Sequence, residues 1–70
     1  MTTVTLNGER EELPADATVA TVVEAAGIPG DGRGVAVAVD GEVVPRGEWG
    51  TTVVRDGQAV EVLRAVQGGA

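Results

Sequence analysis

The segment Ala59-Val60-Glu61-Val62-Leu63-Arg64-Ala65 is the most continuous apolar strand candidate in the chain, and Val66-Gln67-Gly68-Gly69-Ala70 follows it. A period of two places Val60 and Val62 on one face of this strand, where we expect them to face a helix. The two adjacent glycines can neither pack nor extend a sheet, because glycine lacks a side chain and resists ordering. The pattern therefore predicts a body over residues 1–65 and a flexible tail over residues 66–70. A reactive tail and a frayed terminus both fit this pattern.

The composition narrows the class of protein. Seventy residues form one domain, near the size at which a single hydrophobic core barely outweighs chain entropy. Cysteine and histidine are absent, which excludes disulfides and the commonest zinc ligands. Fourteen valines and one aromatic residue favour a β-branched core on a sheet. We expect a small domain stabilised by packing alone, with no bound metal or cofactor.

The side chains and the net charge also narrow the function. The chain has no Ser, Cys, His, Lys or Tyr, so most nucleophiles and neutral-pH bases are missing and an independent enzyme is not expected. A formal net charge of −6 argues against nucleic acid and anionic membranes, because both bind basic patches. No apolar run reaches membrane-spanning length, and the N-terminus lacks a secretory pattern. The expectation is a cytoplasmic protein whose partners are proteins with basic surfaces.

The first half of the chain is typical of a hairpin followed by a helix. Alternating apolar residues up to Leu6 indicate a half-buried strand, Asn7-Gly8 indicates a tight turn, and a return strand is predicted from Glu9 to Leu13. Thr18 is the predicted N-cap of the helix, and Gly27 stands where a left-handed C-cap is expected. The helix carries one apolar stripe, formed by Val19, Val22, Val23 and Ala26.

The second half of the chain is predicted to be a loop, a hairpin and a final strand. The glycine-rich loop 28–34 follows a helix and lacks lysine, which argues against a phosphate-binding loop. The segments 35–39 and 42–44 form the second hairpin around the Asp40-Gly41 turn. Trp49 is interpreted as a lid over one end of the core, with a role in partner docking as the alternative.

The order of strand, strand, helix, strand, strand, strand predicts an α+β fold, in which one helix crosses one face of a mixed sheet of four to five strands. The opposite face is left to solvent or a partner. Leu63 and Ala65 would form a modest apolar patch there, with Ala36 or Ala38 if the strand register permits. Such a patch beside a flexible tail indicates a docking surface, although scattered exposed apolar residues are also normal.

Three parts of the sequence together resemble a known family. They are Val4-Thr5-Leu6-Asn7-Gly8-Glu9, then Val43-Val44-Pro45-Arg46 with Trp49, and finally Asp56-Gly57 leading to Val60-Glu61-Val62-Leu63 and Ala65-Val66-Gln67-Gly68-Gly69. In this order and at this chain length they resemble the ThiS sulfur carrier proteins of thiamin biosynthesis, over nearly the whole chain. The resemblance implies a ubiquitin-like β-grasp fold, with the first and last strands parallel and adjacent at the centre of the sheet.

The resemblance also implies a chemistry for the tail. A ThiF-like adenylating enzyme would use ATP to convert the Gly69 carboxylate into an acyl-adenylate. Sulfur from a donor such as a cysteine desulfurase would then leave a Gly69 thiocarboxylate. A ThiG-like thiazole synthase would take this sulfur for the thiazole ring. Val66, Gln67 and Gly68 would thread through the partner's active site, so the chain is expected to be a co-substrate and not an enzyme.

Ala70 departs from the family pattern, in which the second glycine carries the terminal carboxylate. A protease would remove Ala70 before activation, unless Ala70 is an added residue or the activating enzyme accepts alanine.

Other functions remain open on the sequence alone. A MoaD-like carrier for molybdopterin, or a carrier for cysteine or a secondary metabolite, would use the same tail chemistry. A non-covalent β-grasp interaction module would use only the sheet face. Covalent tagging of other proteins is a further possibility, but polymer chains are excluded because the chain has no lysine to accept a second copy.

Overall fold

The structure is a computed structural model that describes residues 1–28 and 34–64. The predicted tail, residues 66–70, and Ala65 lie outside the described residues. The described elements are, in chain order, β1 (Thr2–Leu6), β2 (Glu9–Leu13), α1 (Val19–Ala25), β3 (Val35–Val39), β4 (Glu42–Val44), a 3₁₀ turn (Arg46–Glu48) and β5 (Ala59–Arg64). The predicted order of strands and helix is confirmed.

The five strands form one mixed sheet in the order β2-β1-β5-β3-β4. The central pair, β1 and β5, is parallel, with Leu6 opposite Val60. The other three pairs are antiparallel, and in one of them Val37 of β3 lies opposite Val62 of β5. The parallel pairing at the centre is the arrangement that the resemblance implied, and it confirms the β-grasp fold.

Both predicted hairpin turns have the required backbone. Asn7 and Gly8 have φ of 51° and 88°, and Asp40 and Gly41 have φ of 49° and 87°. Two consecutive positive φ values give the turn whose twist matches the flanking strands. Asn, Asp and Gly tolerate this left-handed region better than other residues do, which is why these two dipeptides locate the hairpins.

Every backbone donor in the first turn of α1 has a partner. The Thr18 hydroxyl accepts from the Thr21 amide at 3.4 Å, and the Thr18 amide donates to the Thr21 hydroxyl at 3.2 Å. The amides of Val19 and Ala20 donate to the carbonyls of Thr52 and Trp49, at 2.9 and 3.1 Å. The Thr18 cap is confirmed, and the segment after the 3₁₀ turn completes it.

The core lies between α1 and the sheet. Val60 and Val62 are buried there, as predicted, and so are the three helix valines of the apolar stripe. Val54 is also fully buried, and its amide donates to the Ala17 carbonyl at 2.9 Å. The segment from Thr51 to Arg55 contains a single β-bridge, between Val53 and Thr18, and is not one of the strands of the sheet.

Candidate functional site

The face of the sheet that points away from α1 carries an apolar surface. Leu63 lies opposite Ala36, and Ala38 lies opposite Val43 in the neighbouring pair. These residues alternate with the buried positions of the same strands, so they share the outer face. Leu63 is 65% exposed and Val43 is 73% exposed. We call these four residues the outer patch.

The outer patch gives way to polar residues toward β1 and β2. Glu61 is exposed and lies opposite Ala38 in the sheet, next to the patch. Beyond it, Thr5 of β1 lies between Ala59 of β5 and Arg10 of β2. The apolar area therefore covers β3, β4 and the carboxyl-terminal part of β5. Of these strands, β5 is the one that precedes the tail in the sequence.

Two turn residues hold β5 through their side chains. Asp40 Oδ1 accepts from the Ala59 amide at 2.9 Å, and Asp40 Oδ2 accepts from Gln58 Nε2 at 3.1 Å. Closer to the other end of the strand, Asn7 Oδ1 accepts from the Val62 amide at 2.8 Å, and Asn7 Nδ2 donates to the Val62 carbonyl at 3.1 Å. Sequence analysis assigned Asn7 and Asp40 to the turns alone and missed these contacts.

A third turn residue anchors the approach to β5. Asp56 Oδ1 accepts from the Thr3 amide at 2.7 Å, and the Gly57 amide donates to the Thr3 carbonyl, also at 2.7 Å. The chain that enters β5 is thus attached to β1 before the parallel pair begins. An Asx-Gly dipeptide at each turn was the available sequence signal, because Asn and Asp side chains in turns readily bond backbone amides.

Trp49 is placed as the lid interpretation requires. The residue is 6% exposed, and its indole Nε1 donates to the Val44 carbonyl at 3.0 Å. Its own carbonyl also accepts from the Ala20 amide at the start of α1. Trp49 thus joins the end of β4 to the helix. The docking role for Trp49 stays a prediction, and little of the residue's surface is free for contact.

Of the predicted site residues, the structure describes Leu63 and Trp49. Leu63 is on the outer patch, and the register brings Ala36 beside it as expected. The predicted modified residue, Gly69, lies outside the described residues. So do the other predicted tail, docking and processing positions, which are Ala65, Val66, Gln67, Gly68 and Ala70.

Two features are absent from the part of the chain that the structure describes. Within residues 1–28 and 34–64, no group of three or more His, Cys, Asp or Glu side chains is arranged to hold a metal ion. In the same part of the chain, no helix is both long enough and apolar enough to cross a bilayer.

The chain is similar to proteins of one family. The sequence model of the ThiS family matches residues 4–69. A crystal structure of a thiamine biosynthesis protein (ThiS) from Geobacter metallireducens is 32% identical, with a TM-score of 0.76, over 96% of this chain and 99% of that one. An NMR solution structure of a thiamine biosynthesis protein from Geobacter metallireducens is 30% identical, with a TM-score of 0.73, over 97% of this chain and 88% of that one. No curated protein sequence matches significantly.

The family match and the structural similarity agree with the central parallel pair, the single helix and the strand order already described. The matched region includes Gly68 and Gly69 and stops before Ala70. The chain therefore belongs to the ThiS family of small sulfur carriers of thiamin biosynthesis.

Proposed function

We propose that the Gly69 carboxylate is the group that carries the sulfur. The carboxylate attacks the α-phosphorus of ATP in an adenylating enzyme, and pyrophosphate leaves. The persulfide of a donor such as a cysteine desulfurase then displaces AMP to give an acyl disulfide, and a thiol reductant cleaves its S–S bond to release the thiocarboxylate. The observation that carries this proposal is the family match, which extends through the glycine pair to Gly69.

The composition supports the role of co-substrate. A carboxylate is a poor electrophile, and the chain has no Ser, Cys, His or Lys side chain with which to activate it. Activation therefore belongs to a partner that binds ATP. Thiazole synthase is the proposed acceptor of the sulfur, since the chain belongs to a family of thiamin biosynthesis.

The length of the tail fits a reaction inside a partner's pocket. Gly69 lies five residues beyond Arg64, the last described residue. A fully extended chain of that length spans roughly 17 Å, which is enough to enter an active site while the body stays outside. Gly68 and Gly69 lack Cβ atoms, so a narrow channel can accept them in any backbone conformation.

The outer patch is the proposed docking surface for both partners. It is apolar, it includes Leu63 near the end of β5, and it is bordered by Glu61 on a chain with a net charge of −6. A partner surface with an apolar centre and basic rim would complement it. Ala65 is included in the proposed docking surface because it stands two residues after Leu63 in the sequence. We leave Trp49 out, because it is buried.

Ala70 requires a further step in this proposal. The matched region stops at Gly69, and the carboxylate of this second glycine is the one that we propose to be adenylated. We propose that a protease removes Ala70 before activation. Intact mass of the protein from its own cells tests this step: a thiocarboxylated species that retains Ala70 would contradict it.

One incubation tests the proposed function. The full chain and a chain ending at Gly69 are each mixed with adenylating enzyme, ATP, cysteine, cysteine desulfurase and a thiol reductant, and intact masses are measured. The proposal predicts the mass gain of one oxygen-to-sulfur exchange on the chain ending at Gly69, and no gain when ATP is omitted. A thiocarboxylate that thiazole synthase does not consume would redirect the proposal to another sulfur acceptor.

A further inference from the structure

The strand that leads to the tail loses one of its two neighbours before it ends. The parallel pair of β1 and β5 comprises Thr5 with Ala59 and Leu6 with Val60. The chain then turns away from β5 at Asn7-Gly8, where the Asn7 amide donates to the Val60 carbonyl at 2.9 Å. Past Val60, β1 provides no further strand residue for β5, and among the described strands β3 alone continues the ladder as far as Arg64.

The side chain of Asn7 replaces the missing neighbour. Its carboxamide offers both an acceptor and a donor, as a backbone peptide group does. Oδ1 accepts from the Val62 amide at 2.8 Å, while Nδ2 donates to the Val62 carbonyl at 3.1 Å. The carboxamide thus extends the bonding of β1 to β5 by one step, up to Val62.

We infer that Asn7 is a positioning residue: it holds the end of β5 so that a docked body directs the tail toward the partner's ATP. The inference rests on the proposed function, since it concerns how Gly69 reaches the activating site. Val62 is seven residues before Gly69. Backbone motion at Val62 would therefore widen the range of positions that the terminal carboxylate can occupy. Restricting a bound reactant to a productive orientation raises the rate of the chemical step, while the affinity of docking stays the same.

Asp40 provides the matched comparison. It also stands at positive φ before a turn glycine, and its carboxylate also holds the backbone of β5. Its contact is with Ala59, at the end of the strand remote from the tail. If Asn7 mattered only for folding, the loss of either contact would have similar consequences. A role in directing the tail requires that only the loss of the Asn7 contact slows the reaction.

The first measurement is backbone amide hydrogen exchange of the full chain by NMR. Asn7→Gly suits the positive φ of the turn and removes both side-chain bonds. Asn7→Asp keeps an acceptor for the Val62 amide but replaces the Nδ2 donor with a second oxygen, which cannot donate to the Val62 carbonyl. We expect Val62 to exchange roughly two- to tenfold faster in Asn7→Gly, as for the loss of one net hydrogen bond. Unchanged exchange at Val62 in Asn7→Gly would overturn the inference.

The second measurement is pyrophosphate release by the adenylating enzyme, with whichever chain is active, the full one or that ending at Gly69. We expect kcat to fall on the order of tenfold in Asn7→Gly, with KM unchanged, because docking is intact and orientation is lost. Asp40→Gly should leave both constants unchanged. Thermal melts confirm that each variant is folded, and Asn7→Asp takes the place of Asn7→Gly if the latter is not.

The outcomes separate the inference from the proposed function. No pyrophosphate release with either unmodified chain would overturn the proposed function and, with it, the role of Asn7 in directing the tail. Release by the unmodified chain with equal kcat in Asn7→Gly would overturn only the inference. So would a change confined to KM, or an equal fall in kcat for Asp40→Gly, because either result assigns Asn7 a purely structural role.

Discussion

At the scale of single residues, three short polar side chains each hold a second part of the backbone. Asn7 bonds Val62, Asp40 bonds Ala59, and Asp56 bonds Thr3. Each of the three residues stands in a turn, immediately before a glycine. From this position the carboxylate or carboxamide reaches the backbone of a neighbouring strand. In a chain that has no cysteine for a disulfide, such contacts attach the centre of the sheet to its turns.

The glycine pair of the tail provides the first prediction. Gly68→Ala should leave the unfolding temperature unchanged and lower the yield of thiocarboxylate, because a Cβ restricts the backbone inside a narrow channel. Gly50→Ala is the matched control: Gly50 is exposed, and a methyl group at this position would meet open space, so neither quantity should change. Normal turnover of Gly68→Ala with the cognate enzymes would refute the prediction.

The N-cap of α1 provides the second prediction. Thr18→Ala should lower the free energy of unfolding by about 1 kcal/mol, because the Thr21 amide loses its acceptor. Thr18→Ser keeps the hydroxyl, and its free energy of unfolding should remain close to that of the unchanged protein. Urea denaturation measures both differences. A stability of Thr18→Ala equal to that of Thr18→Ser would show that the cap contributes nothing.

At the scale of elements, α1 and the outer patch occupy opposite faces of one sheet. α1 has seven residues, too few for a stable isolated helix, so its valines must be buried against the sheet. The outer patch keeps its apolar residues exposed in the same strands. One face of the sheet is therefore covered by the helix, and the other is exposed and is the face that we propose for docking.

The outer patch can be tested without disturbing the core. Leu63→Ser should change stability little, since Leu63 is 65% exposed, and should raise the KM of the adenylating enzyme for the chain. Val53→Ser is the control, because Val53 is 49% exposed but pairs with Thr18 beside the start of α1. An equal effect of the two substitutions on KM would contradict docking through the outer patch.

Sequence analysis predicted the elements better than the contacts between them. The Asx-Gly turns, the return strand and the cap of α1 follow from local chemistry, and all are confirmed. The partners of the first turn of α1 are Trp49 and Thr52, and no local pattern could indicate them. The side-chain bonds of Asn7 were missed for the same reason, because Val62 is 55 residues away. The parallel central pair came from the family resemblance.

For the whole molecule, we propose that the body, residues 1–65, and the tail that carries the reactive group, residues 66–70, are separate. The core residues in the part of the chain that the structure describes lie between Val4 and Val62. We predict that a chain ending at Ala65 unfolds at the same temperature as the full chain and competitively inhibits pyrophosphate release. The same short chain with Leu63→Ser should inhibit weakly. A large loss of stability on shortening would contradict the division into body and tail.

In the proposed function the acyl group of Gly69 carries the sulfur, and the intact mass of the chain after sulfur transfer decides whether it does. The chain ending at Gly69 is incubated with adenylating enzyme, ATP, cysteine, cysteine desulfurase and a thiol reductant, and the C-terminal peptide is then fragmented. We predict one oxygen-to-sulfur exchange located on Gly69, lost again when thiazole synthase and its other substrates are added. An unchanged mass, or sulfur located elsewhere in the chain, would contradict the claim.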